Sequence, residues 1–451
     1  MRARHQILAL CILGIMGGAC RQDASPPKKT PLIGGIQVNE PQLRRWIRTI
    51  DEAGLNTVAT TVYAKQGDWD SANLWSDAKI PPVRREIAAA KQAGLRVVLV
   101  LRIALDHAFE RNRFLWHGMI APRTDDDIDR WFAAYTDFVL RWARVAEKEK
   151  VDVLGIGSEL NRLTATRPVV GLPALEDWYL DSKKQEDFMR RVLAHDARIT
   201  ARHRAAMGGG AFKDNASFLK ARSDIWRAWA KATTFQDHED PRGALNARRR
   251  LLDRKWRMLI SKVRTVFSGK LTYAANFDHY QEVQFWDALD IVGINAYFEL
   301  RPNLHLDDLD ARLVAGWRRV FDEIEGFRRD RRLAHPILFT ELGYTRRRHS
   351  TVKPWAQNGF MLTDEELLIW EDQRPDIEER AAALRALRRV STCERPDILT
   401  GVLYWKLSSW PDQRSVEPFV VVLDGEDPAQ DILKSFLSSD CRSGANTSPA
   451  R

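Results

Sequence analysis

The sequence is poor in the signatures that mark most catalytic chemistries. Four cysteines in 451 residues are too few for a disulfide scaffold and show no metal-binding spacing. There is no G-x-S-x-G elbow, no H-E-x-x-H pair, no phosphate loop and no cysteine–histidine zinc pattern. Ten histidines are scattered, and none pairs by motif with a serine or cysteine nucleophile. No metal and no organic cofactor is implied. Internal repeats and low-complexity blocks are also missing. These absences remove zinc hydrolysis, serine-triad chemistry and nucleotide phosphate transfer from the field.

What is present is globular. Hydrophobic residues make up 44% and charged residues 29%, and 70 Lys+Arg against 61 Asp+Glu give a formal charge of +9. The length fits two or three ordinary domains, or one α/β barrel with insertions. Sixteen tryptophans are a heavy load to leave idle on a surface. Arg248-Arg249-Arg250 and Arg346-Arg347-Arg348 are the densest basic runs. For an exported chain they read as solvated helix faces or contacts with anionic envelope material, not as a nucleic-acid surface.

Export is the reading of the amino terminus. Arg2, Arg4 and His5 precede a short apolar run, Ile7 to Met16, and Gly17, Gly18 and Ala19 lead into Cys20. The run is too short for a spanning helix and reads as a signal peptide over residues 1–19. The small residues before Cys20 resemble a bacterial lipoprotein signal, in which that cysteine carries the lipid and anchors the protein to a membrane. Residues 20–30 then form a polar tether, and 442–451 a disordered tail. With Cys11 removed and Cys20 lipidated, Cys393 and Cys441 remain as an even pair in an oxidising compartment, which predicts a disulfide.

From residue 31 to 441 apolar runs alternate with helical patterns. Strand candidates fall at Leu32–Val38, Thr57–Tyr63, Arg96–Ile103, Val151–Gly157, Lys270–Asn276, Ile291–Ala296, Pro336–Thr340 and Thr400–Lys406, rich in Val, Ile and Leu as buried parallel strands are. Helical patterns cover 40–53, 83–93, 127–149, 245–268, 310–328, 377–392 and 429–437, with Gly54 and Gly94 where helices end. Eight strands mostly separated by helices predict an α/β fold, a (β/α)₈ TIM barrel. A polar stretch at about 163–244, with helical pieces at 184–204 and 216–231, reads as a helical insertion after strand 4.

Barrel chemistry lies at the carboxyl ends of the strands. Strand 4 ends in Gly157-Ser158-Glu159 and strand 7 in Thr340-Glu341-Leu342-Gly343-Tyr344. A buried, unpaired carboxylate costs several kcal/mol, so two such residues at strand mouths point to a polar cleft. These two ends resemble those of the clan A glycoside hydrolases, and more closely of glycoside hydrolase family 113. Supporting runs are LTYAANFDHY (271–280), FWDALDIVGINAYFEL (285–300) and GVLYWKL (401–407). The resemblance spans most of residues 32–410 outside the insertion. It implies retaining hydrolysis of a β-linked polysaccharide or oligosaccharide, Glu159 as general acid/base, Glu341 as nucleophile, and β-mannan as substrate. Many clan A enzymes have Asn before the acid/base; Ser158 stands there in this chain.

A retaining pair needs its carboxyls about 5–5.5 Å apart, an inverting pair about 6.5–9.5 Å. The shorter distance is expected. The charge on Glu341 is expected to raise the proton affinity of Glu159. Tyr297 is placed to hydrogen-bond Glu341; Asn276, Asp278 and Asn295 to contact sugar hydroxyls or to cap the following turns; Trp405 to form an aromatic floor; Trp410 to add a subsite. Trp116, Trp75 and Trp69 are further loop aromatics, and Trp286 reads as structural. Two alternatives share the barrel: a transglycosylase or other β-glycosidase, and a glycan-binding lipoprotein without catalysis. A carboxylate locked into a buried ion pair with arginine is expected to be incompatible with catalysis.

Overall fold

The computed structural model describes residues 30–441 apart from 38–39, 77–79, 165–179, 236–237, 358–360, 363–367 and 370–372. The signal segment, Cys20, most of the tether, the tail and part of the insertion lie outside the described residues. Eight strands follow one another around a closed sheet: β1 (Leu32–Gln37), β2 (Thr57–Gln66), β3 (Arg96–Leu105), β4 (Val153–Ser158), β5 (Lys270–Asn276), β6 (Val292–Asn295), β7 (Ile337–Leu342) and β8 (Leu399–Ser408). All pair in parallel with their neighbours in chain order, and β8 returns to β1. This is the (β/α)₈ barrel that the alternation predicts.

Among the described residues, the helices of eight or more residues are α1 (Leu43–Glu52), α2 (Ile80–Gln92), α3 (Asp125–Lys148), α4 (Ser182–Leu193), α5 (Asn215–Thr233), α6 (Pro241–Arg264), α7 (Leu309–Asp330), α8 (Ile377–Arg388) and α9 (Pro428–Ser435). Gly54 and Gly94 end α1 and α2 with φ of 70° and 75°, a left-handed turn that glycine adopts without penalty. A capping box between Thr124 and Asp127 opens α3. Trp131, Tyr135, Phe138 and Trp142 recur on the face it buries, the spacing of one helical side. Between β5 and β6 two single 3₁₀ turns replace a helix, and Trp286 is buried there with Nε1 donating to Tyr280 O at 2.8 Å.

Some boundaries differ from the sequence pattern. Strand β2 runs on to Gln66 and β3 to Leu105, because their register continues without a break for ten residue pairs. The helix expected over 184–204 is broken after Leu193, since Thr200 caps a new short helix through His203. Helix α8 widens into a π turn at Arg389–Glu394. Cys393 in that turn is joined to Cys441 by a disulfide, Cα–Cα 5.7 Å.

Inside the barrel, Ile36, Ala59, Val100, Ala274, Leu338 and Leu403 pack into one apolar plug. Burial of each large side chain contributes roughly 1.5–3 kcal/mol. Helices α4 and α5 carry their own small core around Val192, Ile199, Phe218 and Leu219. Behind β7, Arg301 and Glu379 form a fully buried ion pair at 2.8 Å, and Glu379 also accepts from the Thr351 N–H and hydroxyl. No helix among the described residues is long and apolar enough to cross a membrane.

Candidate active site

The carboxyl ends of β4, β6 and β7 meet at one amide. Asn295, the last residue of β6, is fully buried, and its Nδ2 donates to Glu159 Oε1 at 2.8 Å and to Glu341 Oε1 at 3.0 Å. The two bonds laid end to end limit those oxygens to a separation of 5.8 Å at most. Nδ2 also lies 3.3 Å from Ser158 Oγ. Thr340 Oγ1 donates to Asn295 Oδ1 at 2.8 Å, which fixes the direction of the amide.

Local irregularities in the strands aim these side chains. The register slips after Gly155 in β4 and after Ile294 in β6, and beyond the second slip Asn295 pairs with Glu341. Such bulges re-aim side chains at barrel rims. Glu159 itself is left-handed, φ 54°, with its N–H donating to Ala274 O at 2.9 Å. A non-glycine residue held there costs on the order of 1–3 kcal/mol, a strain the surrounding hydrogen bonds offset.

The charges around the pair differ in kind. Tyr297 Oη donates to Glu341 Oε2 at 2.7 Å. Burial, then the charge of Glu159, raises the Tyr297 hydroxyl well above its ordinary range, so it stays a donor. The Arg102 guanidinium, from β3, forms an ion pair with Glu341 Oε1. This is the buried arginine pairing that was expected to be incompatible with catalysis, met here on Glu341. The pair lies in the cleft with Asn295 and Tyr297, and it supplies the opposite charge that a carboxylate with 2% exposure requires. Arg102 also lies 4.9 Å from the Trp405 ring centroid.

Glu159 is corrected in the other direction. Burial pushes its proton affinity up, but His117, Arg102 and Asn295 outweigh that and hold the carboxyl below its ordinary range. His117 Nε2 is 3.0 Å from Glu159 Oε2. The negative charge of Glu341, expected to dominate, is answered locally by Arg102. Asp278 behaves oppositely: burial, with Glu159 and Glu299 adding repulsion, pushes it up to about 7. Its Oδ1 is buried without a hydrogen-bond partner. Among the described residues, no group of three His, Cys, Asp or Glu is arranged to hold a metal ion.

The sequence profile of glycoside hydrolase family 113 matches residues 37–167 and 245–373. The chain belongs to glycoside hydrolase family 113. The match passes over the segment containing α4 and α5. Among solved structures, a GH113 β-1,4-mannanase is 16% identical, covering 90% of this chain and 99% of its own, with a TM-score of 0.57. The GH113 β-mannanase AaManA of Alicyclobacillus acidocaldarius, in complex with ManMIm, is 16% identical over 91% of this chain and 98% of its own, TM-score 0.56. No curated protein matches the sequence.

In this family 113 glycoside hydrolase the structure brings Glu159, Glu341, Asn295 and Tyr297 together. Asn276 ends β5, where its carbonyl accepts from the His279 N–H and turns the chain. Trp405, on β8, is half-buried, with Lys406 Nζ as well as Arg102 at 4.9 Å from its ring centroid. At Trp410, Arg45 lies 5.2 Å from the ring centroid and Nε1 donates to Asp412. Trp69 is buried, Trp75 packs on Phe109, and Trp116 packs on His117. Sequence reasoning missed Arg102 and His117 and gave Thr340 no role. Arg102 had a signal, a cation in the middle of an otherwise apolar run, Val97–Leu105. His117 had none, since only the folded loop brings it to Glu159.

Proposed function

We propose that this hydrolase cleaves a β-linked glycan with retention of configuration, Glu341 attacking the anomeric carbon and Glu159 serving as acid and then base. The observation that carries this reading is the shared Asn295 amide, whose two bonds hold one oxygen of each carboxylate no more than 5.8 Å apart, short of the gap of about 6.5–9.5 Å of an inverting pair. Arg102, Tyr297 and Asn295 compensate the charge on Glu341 before attack. His117 Nε2 lies 3.0 Å from Oε2 of Glu159, the carboxyl assigned as the acid. Once Glu341 is esterified, its negative charge is gone and Glu159 can take a proton from water.

β-Mannan is the leading substrate, supported by the β-mannanase relatives of the same fold. Trp405 would offer its ring to the sugar's C–H face, and Asn276 and Asp278 their polar groups to its hydroxyls. We infer further that the chain is exported and anchored through Cys20. The Cys393–Cys441 bridge supports an oxidising compartment.

Incubation with β-mannan, glucomannan, β-glucan and xylan, followed by NMR of the first-formed reducing end, tests the reading. β-Configured product from β-mannan is expected. α-Configured product would overturn retention, and transfer to acceptor sugars in place of water would mark a transglycosylase. Binding without bond cleavage on every glycan would favour the non-catalytic alternative.

A further inference from the structure

Two charged side chains beside the catalytic pocket pair with each other and not with Glu159 or Glu341. Lys406 follows Trp405 on β8, and its Nζ donates to Glu417 Oε2 at 2.6 Å. Glu417 lies on the loop between β8 and a two-residue strand, Val421–Val422, that pairs with the end of β8. Both residues lie beyond those that the family profile matches. The pair is partly exposed, and an ion pair open to water adds little to stability. Its surroundings give it another use.

Two short chains of contact join the pair to the nucleophile. On one side, Lys406 Nζ stands 4.9 Å from the Trp405 ring centroid, and Arg102, which pairs with Glu341, stands at the same distance from that ring. On the other, Phe419 packs edge-on against Tyr297 with centroids 5.9 Å apart, and Tyr297 donates to Glu341. A Cβ on Gly343, two residues after Glu341, would meet the Trp405 carbonyl, the Tyr297 ring and the Phe419 ring at 2.9, 2.9 and 3.1 Å. These groups therefore close around one point. Arg346, on the loop after β7, holds the Glu417 segment in place. Its N–H donates to Pro418 O at 3.0 Å and its Nη1 to Glu417 O at 3.2 Å.

An ammonium only donates hydrogen bonds, and a carboxylate only accepts them. One donor of Lys406 goes to Glu417, and among the described residues the ammonium has no second acceptor. Glu417 Oε2 takes that bond, while Oε1 receives the Phe419 N–H at 3.4 Å. Donors and acceptors are left over on both groups. A sugar hydroxyl needs one of each, and two adjacent hydroxyls can span the pair. As a unit the pair is neutral, which suits an uncharged glycan. Atoms in van der Waals contact with the indole lie about 3.5–4 Å from it. The hydroxyls of a sugar lying there come within hydrogen-bond reach of an Nζ 4.9 Å from the ring centre. We propose that Lys406 and Glu417 bind the sugar that Glu341 attacks, holding a ring hydroxyl away from the anomeric carbon and so selecting which sugar is accepted. The inference rests on the glycosidase reading, with Trp405 as the surface the sugar meets.

A cycle of enzyme and substrate changes tests it on the full chain. The parent, Lys406→Met and Glu417→Gln are compared in kcat/KM on an aryl β-mannoside and on analogues lacking one ring hydroxyl each. Both variants should lose about tenfold or more on the complete sugar, the worth of one hydrogen bond to a charged group. On one analogue the variants and the parent should be equal, because the hydroxyl they hold is already gone. Lys406→Arg, which keeps the charge and the donors, should retain the dependence on that hydroxyl. Equal losses on every analogue would overturn the assignment, since a merely structural pair weakens all substrates alike. A parent enzyme indifferent to the removal of each hydroxyl would overturn it as well. If no glycoside is turned over, calorimetry with the methyl β-mannoside series reads the same cycle. Coupling found there without turnover would fault the glycosidase reading and uphold the sugar-binding pair, and binding without coupling would overturn the pair.

Discussion

Replacing Asn295 by alanine removes the donor on which both carboxylates converge. The side chain is fully buried, and its Nδ2 makes bonds of 2.8 and 3.0 Å to Glu159 and Glu341. A hydrogen bond to a charged group is worth about 1.5–3 kcal/mol. The pair together is worth roughly 3–6 kcal/mol if both are lost, or about 10²–10⁴-fold in kcat/KM at 1.36 kcal/mol per decade. Steady-state hydrolysis of an aryl β-mannoside measures the loss, with circular dichroism confirming that the barrel still folds. Thr340→Val is the companion. It leaves the amide in place but removes the donor that sets its direction, so its loss should be about tenfold, one hydrogen bond's worth. A folded Asn295→Ala enzyme within fivefold of the parent would refute the bridging role.

Glu341→Ala should abolish turnover of every glycoside, whereas Glu159→Ala should be milder on substrates with good leaving groups and partly rescued by azide; equal, unrescued losses would reverse the argument for distinct roles. His117→Ala removes the strongest opposition to burial at Glu159. The carboxyl should then hold its proton to higher pH, moving the alkaline limb of kcat/KM upward; a limb that stays or falls would contradict the pairing. The Cys393–Cys441 bridge spans 48 residues, and chain entropy assigns such a loop about 4 kcal/mol. The double serine variant should lose about that much in urea unfolding, and a loss near zero would show that the tail is held by packing alone.

The barrel was legible because its strands are buried on both faces and read as Val-, Ile- and Leu-rich runs, and because Gly54 and Gly94 mark helix ends. Boundaries were less legible where polar residues continue a strand, as in Tyr63–Gln66 of β2. The broken helix near Thr200 shows a side-chain cap overriding a helical pattern. Glu159, Glu341, Asn295 and Tyr297 were legible as polar residues at or just beyond strand ends. The depressed acidity of Glu159 was not, because it depends on His117 arriving from a loop 42 residues upstream. The basic run at Arg248-Arg249-Arg250 is not one solvated face: Arg249 pairs with Glu282, and Arg248 donates to the Pro122 and Arg123 carbonyls.

The most direct test of the two-carboxylate account is covalent trapping. Treatment with a 2-deoxy-2-fluoro-β-mannosyl donor bearing a good leaving group should stall the glycosyl-enzyme, and peptide mapping should find the sugar on the peptide carrying Glu341. A sugar ester on any other residue, or complete turnover with inverted product and no adduct, would contradict it.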